Sequence, residues 1–433
     1  MELQTLDQWV APRWVAGPLE ATAFAQNVLR AFLDGHLCVP AERDLPEPFV
    51  RDGDRMYVQK AWALESIVLR ELKRLQGNLT VITGGPGTGK TYTAGQLVRE
   101  WNPKRLVAAA PTGKAAARLS EAIGGQATTL HRLLRLHPGQ ERLVRDERLE
   151  ADLIVVDEAS MIDVAMLAQL LQVVPDGARL VLLGDADQLP PVEGGSLFHA
   201  LAELFGQRLE KVMRTDSAAL LALAKGVREG SAAGMQMQPL GEVPFRFIHG
   251  SGEMPTAEAL LVETGKHALL SCLRQGPWGV DALNERALKL LERRLRVGDW
   301  WAIPLMIVQN EPRLDLYNGM MGVRVGRYRG GRIGRSEGIA HVGGQTMAAA
   351  LLPLFEEGFA LSVHKSQGSE FNAVDLLVPE GSERFGREAL YTGITRARND
   401  IRLWGKKETA ELMIGRRSYT TSGLIERWQR DAT

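Results

Sequence analysis

The stretch Gly84-Gly85-Pro86-Gly87-Thr88-Gly89-Lys90-Thr91 constrains this chain more than any other. It fits G-x-x-x-x-G-K-[ST], a spacing that turns backbone N–H groups inward around a chain of phosphates. Upstream, Leu79-Thr80-Val81-Ile82 is short, apolar and β-branched, and reads as a buried strand. Downstream, residues 91–101 hold no proline and one glycine, Gly95, and read as a helix. Strand, glycine loop and helix are the context the motif needs, because the helix N-terminus adds positive potential where the phosphates sit. Lys90 is expected to reach the β- and γ-phosphates, and the Thr91 hydroxyl to ligate Mg²⁺.

Three further apolar strands follow, each ending in a polar signature. Residues 105–110 run into Pro111-Thr112-Gly113-Lys114, where Thr112 and Lys114 could hold a phosphodiester. Thr128-Thr129-Leu130-His131-Arg132 could do the same a little later, with His131 as a candidate grip. Residues 135–148 are polar around His137-Pro138-Gly139 and suggest a small β-hairpin. Residues 151–156 deliver Asp157-Glu158-Ala159-Ser160. Behind a phosphate loop, such a pair assigns Asp157 to Mg²⁺ and Glu158 to the water that attacks the γ-phosphate. Residues 179–183 end in Gly184-Asp185-Ala186-Asp187-Gln188, where Gln188 could report the γ-phosphate. Four such strands alternating with helices predict a parallel α/β sheet with its ligands at the carboxyl ends of the strands. Gln59, at the start of an expected helix over 60–75, could read an adenine edge or be a solvated helix-start residue.

Composition narrows the rest. The chain has 433 residues, enough for two or three domains, and a formal net charge of zero, so any nucleic-acid contact must be a local patch. Two cysteines, Cys38 and Cys272, exclude a disulfide framework or cysteine zinc site and suit a reducing cytoplasm. No apolar run reaches membrane-spanning length and no signal peptide is evident. Residues 1–56 carry nine acids against five arginines and read as a mostly helical cap suited to packing against protein, with a helix over 21–32. After Phe205 a second unit is expected, with helices over 217–229 and 280–296 and strands over 267–273, 304–308 and 359–363. Arg324, Arg327, Arg329, Arg332 and Arg335 fall in a glycine-rich stretch that reads either as a basic-faced hairpin gripping a phosphate backbone or as a solvated loop. Trp300 and Trp301 read as core or as base-stacking residues. Residues 390–398 read as a helix and 401–404 as a strand.

The phosphate loop, Ala-Pro-Thr-Gly-Lys-Ala-Ala, Asp-Glu-Ala-Ser, Gly-Asp-x-Asp-Gln-Leu, Val-His-Lys-Ser-Gln-Gly-Ser-Glu-Phe and Tyr-Thr-x-Ile-Thr-Arg-Ala-Arg occur in that order. This set resembles superfamily 1 helicases of the 5′–3′ branch. Finer strings, Arg274-Gln275-Gly276-Pro277-Trp278-Gly279 through Asn284, Met306-Ile307-Val308-Gln309-Asn310, Leu316-Tyr317-Asn318-Gly319 and Asp52-Gly53-Asp54-Arg55-Met56-Tyr57, resemble the RecD family, the alpha subunits of exodeoxyribonuclease V. Leu189-Pro190-Pro191 is as similar to the stand-alone RecD-like helicases, and Met320-Met321 stands where the family tends to have an acid.

The resemblance implies two RecA-like lobes, parallel sheets flanked by helices, with ATP between them. It implies a small helical N-terminal domain over 1–56, a first lobe over 57–208, and a second over 209–433 with a small β-rich insertion around 310–358. Lys90, Asp157, Glu158 and Gln188 would then act in catalysis with Arg214 and Arg396, two cations for the γ-phosphate. Thr112, Lys114, His131, Lys365 and Ser366 would grip single-stranded DNA at a single-strand/duplex junction. RecB- and RecC-like subunits would be the partners in a heterotrimer. No nuclease constellation is visible, so any cutting falls to another subunit.

Overall fold

The computed structural model describes Val15 and residues 19–136, 147–191, 194–209 and 217–431. The expected hairpin around His137 and the residue Arg214 lie outside the described residues. Two compact units result: one from the described residues of 1–111, 115–212 and 419–433, the other from those of 112–114 and 213–418.

The first unit opens with helix α1 (Leu19–Leu33), followed by strands β1 (Cys38–Pro40), β2 (Phe49–Asp52) and β3 (Arg55–Val58). The strands form an antiparallel sheet in the order β1-β3-β2. The expected N-terminal helix is present as α1, and the structure adds this small sheet to it, in which Gly53 takes φ +58° and closes a tight β2–β3 hairpin. Phe24, Val28 and Leu29 of α1 pack on Val39, Phe49, Met56 and Val58 of that sheet.

Helix α2 (Gln59–Arg74) buries Ala61, Leu64, Glu65, Val68, Leu69 and Leu72, a stripe at helical spacing. The phosphate loop then links β4 (Leu79–Gly84) to α3 (Lys90–Trp101). The chain continues through β5 (Leu106–Ala110), α4 (Gly113–Ile123), β6 (Thr128–Thr129), α5 (Leu130–Leu133), β7 (Leu153–Val156), α6 (Val164–Val173), β8 (Arg179–Gly184), α7 (Phe198–Phe205) and β9 (Gly206–Leu209). The strands form one parallel sheet in the order β6-β5-β7-β8-β4-β9. Helices cover both faces, so β7 and β8 read as continuous apolar runs rather than alternating ones.

The C-terminal helix Leu424–Arg430 belongs to this unit, whereas the sequence reading carried the second lobe to residue 433. A buried charge network explains the difference. Arg427 Nη1 donates to Glu65 Oε1 at 3.0 Å, and Tyr57 Oη donates to the same oxygen at 3.0 Å. The Gly423 N–H donates to Glu65 Oε2 at 3.0 Å. Asp52 pairs with both Arg427 and Arg430. Charges 362 residues apart in sequence leave no periodic trace, which is why the pairing was not legible.

The second unit contains α8 (Ala218–Glu229), β10 (Met237–Gln238), β11 (Ile248–Gly250), α9 (Ala257–Thr264), β12 (His267–Ser271), α10 (Val280–Arg294), β13 (Trp300–Ile307), β14 (Met321–Arg327), β15 (Ile339–Val342), β16 (Gln345–Ala348), β17 (Phe355–Glu357), β18 (Ala360–Ser362), β19 (Phe371–Val378), α11 (Gly386–Ile394), β20 (Ala397–Gly405) and α12 (Lys407–Gly415). A parallel sheet runs β10-β20-β19-β12-β18. An antiparallel sheet runs β11-β13-β14-β15-β16, with β17 also on β13. This β-rich part reaches back to Ile248 and Trp300, well before residue 310. The helix expected over 390–398 stops at Ile394, and Ala397 already pairs with Phe371 in the sheet.

Trp300 and Trp301 are both buried, on opposite faces of β13, and settle as core. A Cβ on Gly326 would stand 2.5 Å from the Trp301 ring, so only glycine admits that tryptophan. Arg324 corrects the basic-face reading, since it is fully buried. Its guanidinium lies 5.3 Å from the Trp301 ring centre and bonds the carbonyls of Gly334 and Glu337. Arg327 donates to the carbonyls of Gly298 and Gly252, and Arg335 to that of Phe355. Three of the five arginines thus tie loops together, although Arg327 and Arg335, like Arg329 and Arg332, remain exposed.

Burial pushes the Glu65 carboxyl above its ordinary value even with three donors on it. Arg427→Ala leaves that buried carboxylate without its cation and is expected to cost about 3 kcal/mol or more of stability in urea unfolding. Adding Glu65→Gln to that variant should recover part of the loss.

Candidate functional site

The register of the first sheet aligns the strand ends: Thr83 stands opposite Gly184, Val156 opposite Leu182 and Ala109 opposite Val156. The loops carrying Gly85, Asp157 and Gln188 therefore leave the sheet on one edge. Gly87 and Gly89 take φ +76° and +83°, which admits glycine at little cost and bends the loop onto the N-terminus of α3. A Cβ on Gly84 would meet Thr88 Oγ1 at 2.7 Å and the Leu209 carbonyl at 2.9 Å. Thr88 Oγ1 closes the loop by donating to the Gly85 carbonyl at 2.7 Å. Pro86, between them, lies in the turn of the loop.

Lys90, the first residue of α3, lays its ammonium back over the loop, donating to the carbonyls of Gly84 (2.5 Å) and Gly85 (3.0 Å). Thr91 Oγ1 donates to Asp157 Oδ2 at 2.8 Å, joining residues from the phosphate loop and from the end of β7. The other carboxylate oxygen of Asp157 accepts the Glu158 N–H at 2.8 Å. Glu158 sits at φ +52°, a left-handed conformation unusual for glutamate. A hydroxyl and a carboxylate in contact are hard oxygen donors, the kind a small divalent cation such as Mg²⁺ takes.

Gln188 is buried in the loop after β8, and its Nε2 donates to Asp185 Oδ2 at 3.2 Å. Asp185 also accepts the Asp187 N–H at 3.1 Å. The Ala186 N–H donates to Thr83 Oγ1 at 3.0 Å, tying this loop to β4. Asp185 and Thr83 escaped the sequence reading; the Asp-x-x-Gln spacing was the signal for the first, and nothing local marks the second.

The remaining candidates are placed as follows. Gln59 opens α2 with its side chain exposed. Thr112 stands in the turn after β5, Lys114 in the first turn of α4, and His131, exposed, in α5. Lys365 follows β18 and pairs with Glu356 at 2.6 Å, a carboxylate it shares with Arg274 at 2.7 Å. Ser366 is fully buried and donates to the Val363 carbonyl at 2.7 Å, which corrects its reading as a grip: its hydroxyl shapes the turn that presents Lys365. Arg396 is buried too, with Nε on the Thr392 carbonyl at 3.0 Å and Nη1 on the Ser369 carbonyl at 3.1 Å. Asn284, from a string that carried the family resemblance, bonds both the N–H and the carbonyl of Ala360 and so completes the edge strand β18.

These residues form a phosphate-loop nucleotide site, followed in the same chain by a second parallel-sheet unit, and sequence similarity places the chain among the helicases. Residues 67–242 match a family model described as an AAA domain, and residues 357–403 one described as a UvrD-like helicase C-terminal domain. The RecBCD enzyme subunit RecD of Mycobacterium tuberculosis is 35% identical over 415 residues, covering 82% of this chain and 71% of that protein. The ATP-dependent RecD2 DNA helicase of Deinococcus radiodurans is 32% identical, covering 82% of this chain and 51% of that protein. Among solved structures, the Pif1 helicase from Candida albicans is similar over 85% of this chain and 98% of that chain, at 18% identity and a TM-score of 0.48. The chain belongs to the RecD family of helicases.

His364, beside Lys365, packs its ring edge against Phe385 at 5.8 Å, and burial pushes its imidazole down to about 4. The folded state therefore keeps this ring neutral while the unfolded chain protonates it near its ordinary value. Stability is full above about pH 6.5 and should fall by up to about 1.4 kcal/mol per pH unit as the pH drops towards 4. Urea unfolding of His364→Asn should show a flatter dependence over that window.

Proposed function

We propose that this chain is an ATP-driven, 5′–3′ DNA helicase that moves on single-stranded DNA as the RecD-type subunit of a RecBCD-like repair machine. The observation that carries the reading is the Thr91–Asp157 contact beside the looped-back Lys90, in a chain 35% identical to a RecD subunit. ATP would lie along residues 84–91, with Lys90 on its β- and γ-phosphates and Gln59 at the adenine edge. Thr91 and Asp157 would hold Mg²⁺, which supplies charge neutralisation between the phosphates when bound. Glu158 would take the proton of the attacking water, and Gln188 would respond to the γ-phosphate. Arg396, and Arg214 outside the described residues, are assigned the neutralisation of charge on the transferred phosphoryl, an effect of roughly 10³–10⁵ in rate for such arginines. Thr112, Lys114, His131 and Lys365 are assigned to the phosphates of the single strand, so binding would be indifferent to sequence and weakened by salt.

The test is strand displacement by the purified chain on 5′- and 3′-tailed duplexes. Unwinding of the 5′-tailed duplex alone is expected. Lys90→Gln should lower turnover by about 10²-fold or more while leaving the melting temperature unchanged. Unwinding of only the 3′-tailed duplex overturns the polarity. The similarity to RecD2 favours a second reading, a helicase active without partners. Displacement by the chain alone supports it, whereas ATPase stimulated by DNA without displacement, restored by co-purifying RecB- and RecC-like subunits, supports the subunit. ATPase indifferent to DNA would instead indicate a nucleotide-gated switch.

A further inference from the structure

The loop that carries Gln188 is held from a direction the helicase motifs do not include. Gln188 Oε1 is buried and accepts no hydrogen bond among the described residues, so only Asp185 fixes the amide, and from one side. The backbone between them is fixed at Ala186, whose carbonyl meets His199 Nδ1 of α7 at 3.3 Å. The His199 ring in turn lies flat on Tyr419, with centroids 3.6 Å apart and planes 20° from parallel. Gln188, His199 and Tyr419 line a common cavity of about 20 Å³.

Tyr419 is reached from the second unit across a single peptide bond. Ser418, the last residue of that unit, is anchored there: its N–H donates to Glu388 Oε2 at 2.8 Å and its hydroxyl to the Phe385 carbonyl at 2.6 Å. Beyond Tyr419 the strap is pinned again. Thr420 Oγ1 accepts the Ser196 N–H at 2.8 Å, the Thr421 N–H donates to His36 Nδ1 at 3.0 Å, and the Thr421 carbonyl accepts the Leu37 N–H at 2.8 Å. A four-residue segment hydrogen-bonded at both ends passes on the displacement of either anchor, because it is too short to absorb it. The one aromatic in it rests on the ring that sets the Gln188 loop.

We propose that Tyr419 is a positioning residue for Gln188, and that the strap 418–421 makes the setting of this γ-phosphate sensor depend on where the second unit holds Ser418. The proposal rests on the reading of Gln188 given above. It predicts that loss of the stack slows hydrolysis without weakening nucleotide binding, since no strap residue is assigned to the nucleotide.

The experiment measures steady-state ATP turnover by the full chain with single-stranded oligothymidylate, together with its melting temperature. Tyr419→Ala is expected to lower kcat about tenfold with KM within about twofold, as misplacement of a sensing group does. Tyr419→Phe, which keeps the ring, should return to the parent kcat. Tyr419→Leu, which fills the space without stacking, should stay slow and covers the case in which the alanine variant folds poorly. Tyr419→Ala combined with His199→Ala should cost no more than either change alone. An unchanged kcat in both Tyr419→Ala and Tyr419→Leu overturns the proposal, as does an equal loss in Tyr419→Phe. Gln188→Ala separates the two ideas. If it turns over at the parent rate, the sensor reading itself fails; if it is slow beside a fast Tyr419→Leu, only the strap is wrong.

Discussion

Parallel pairing in the first sheet is the constraint on which the rest depends. Every strand there runs the same way, so every strand releases its loop on the same edge, and each loop must then be followed by a crossover that brings the chain back. Residues as distant in sequence as Thr91 and Asp157 meet at 2.8 Å because β4 and β7 flank β8 in that sheet, with Thr83 and Val156 near its end. Apolar side chains pack under helices on both faces, so a slip by one residue would exchange the side chains fitted to one helix layer for those fitted to the other. The shared edge on which the candidate site residues stand is thus a consequence mainly of apolar packing away from that edge.

Buried charge does structural service in both units. Glu65 and Arg427 fasten the chain's last helix to the helix that precedes the phosphate loop. Asp375, fully buried in β19, accepts bonds from His267 (2.6 Å), Arg402 (2.7 Å) and Trp404 (2.8 Å). Its carboxyl lies below the usual range although burial alone would raise it, because those three donors and the charge of Arg402 outweigh desolvation. Arg324 plays the cationic counterpart inside the antiparallel sheet, bonded to carbonyls. Such groups are costly to bury and hold position only while every partner is in place, which suits parts of a motor that must stay rigid while others move.

The local signatures were legible because backbone conformation and hydropathy write them directly. Glycines at 87 and 89 must take positive φ, Leu79–Gly84 must be buried, and Asp157-Glu158 must follow an apolar strand; each of these is a property of a few adjacent residues. The cations were less legible. An arginine in sequence is equally a hand for phosphate and a tie between loops, and Arg324 and Arg327 turned out to be ties. Ser366 failed as a surface grip for a related reason: in a tight turn its hydroxyl finds a carbonyl three residues back before anything outside.

The sequence by itself determined that the chain binds a triphosphate, where the loop lies, which acids follow it and to which family the motifs point. Tertiary structure decided what those residues touch: Thr91 against Asp157, Lys90 over the carbonyls of Gly84 and Gly85, Gln188 on Asp185. It also decided that the chain's last residues return to the first unit, where Tyr419 settles on His199. The physical reason is range. Periodicity and dihedral preference act over a few residues, whereas a ring stacked on a ring 220 positions away is specified by no neighbour in the chain, only by the folded surface that brings the two together.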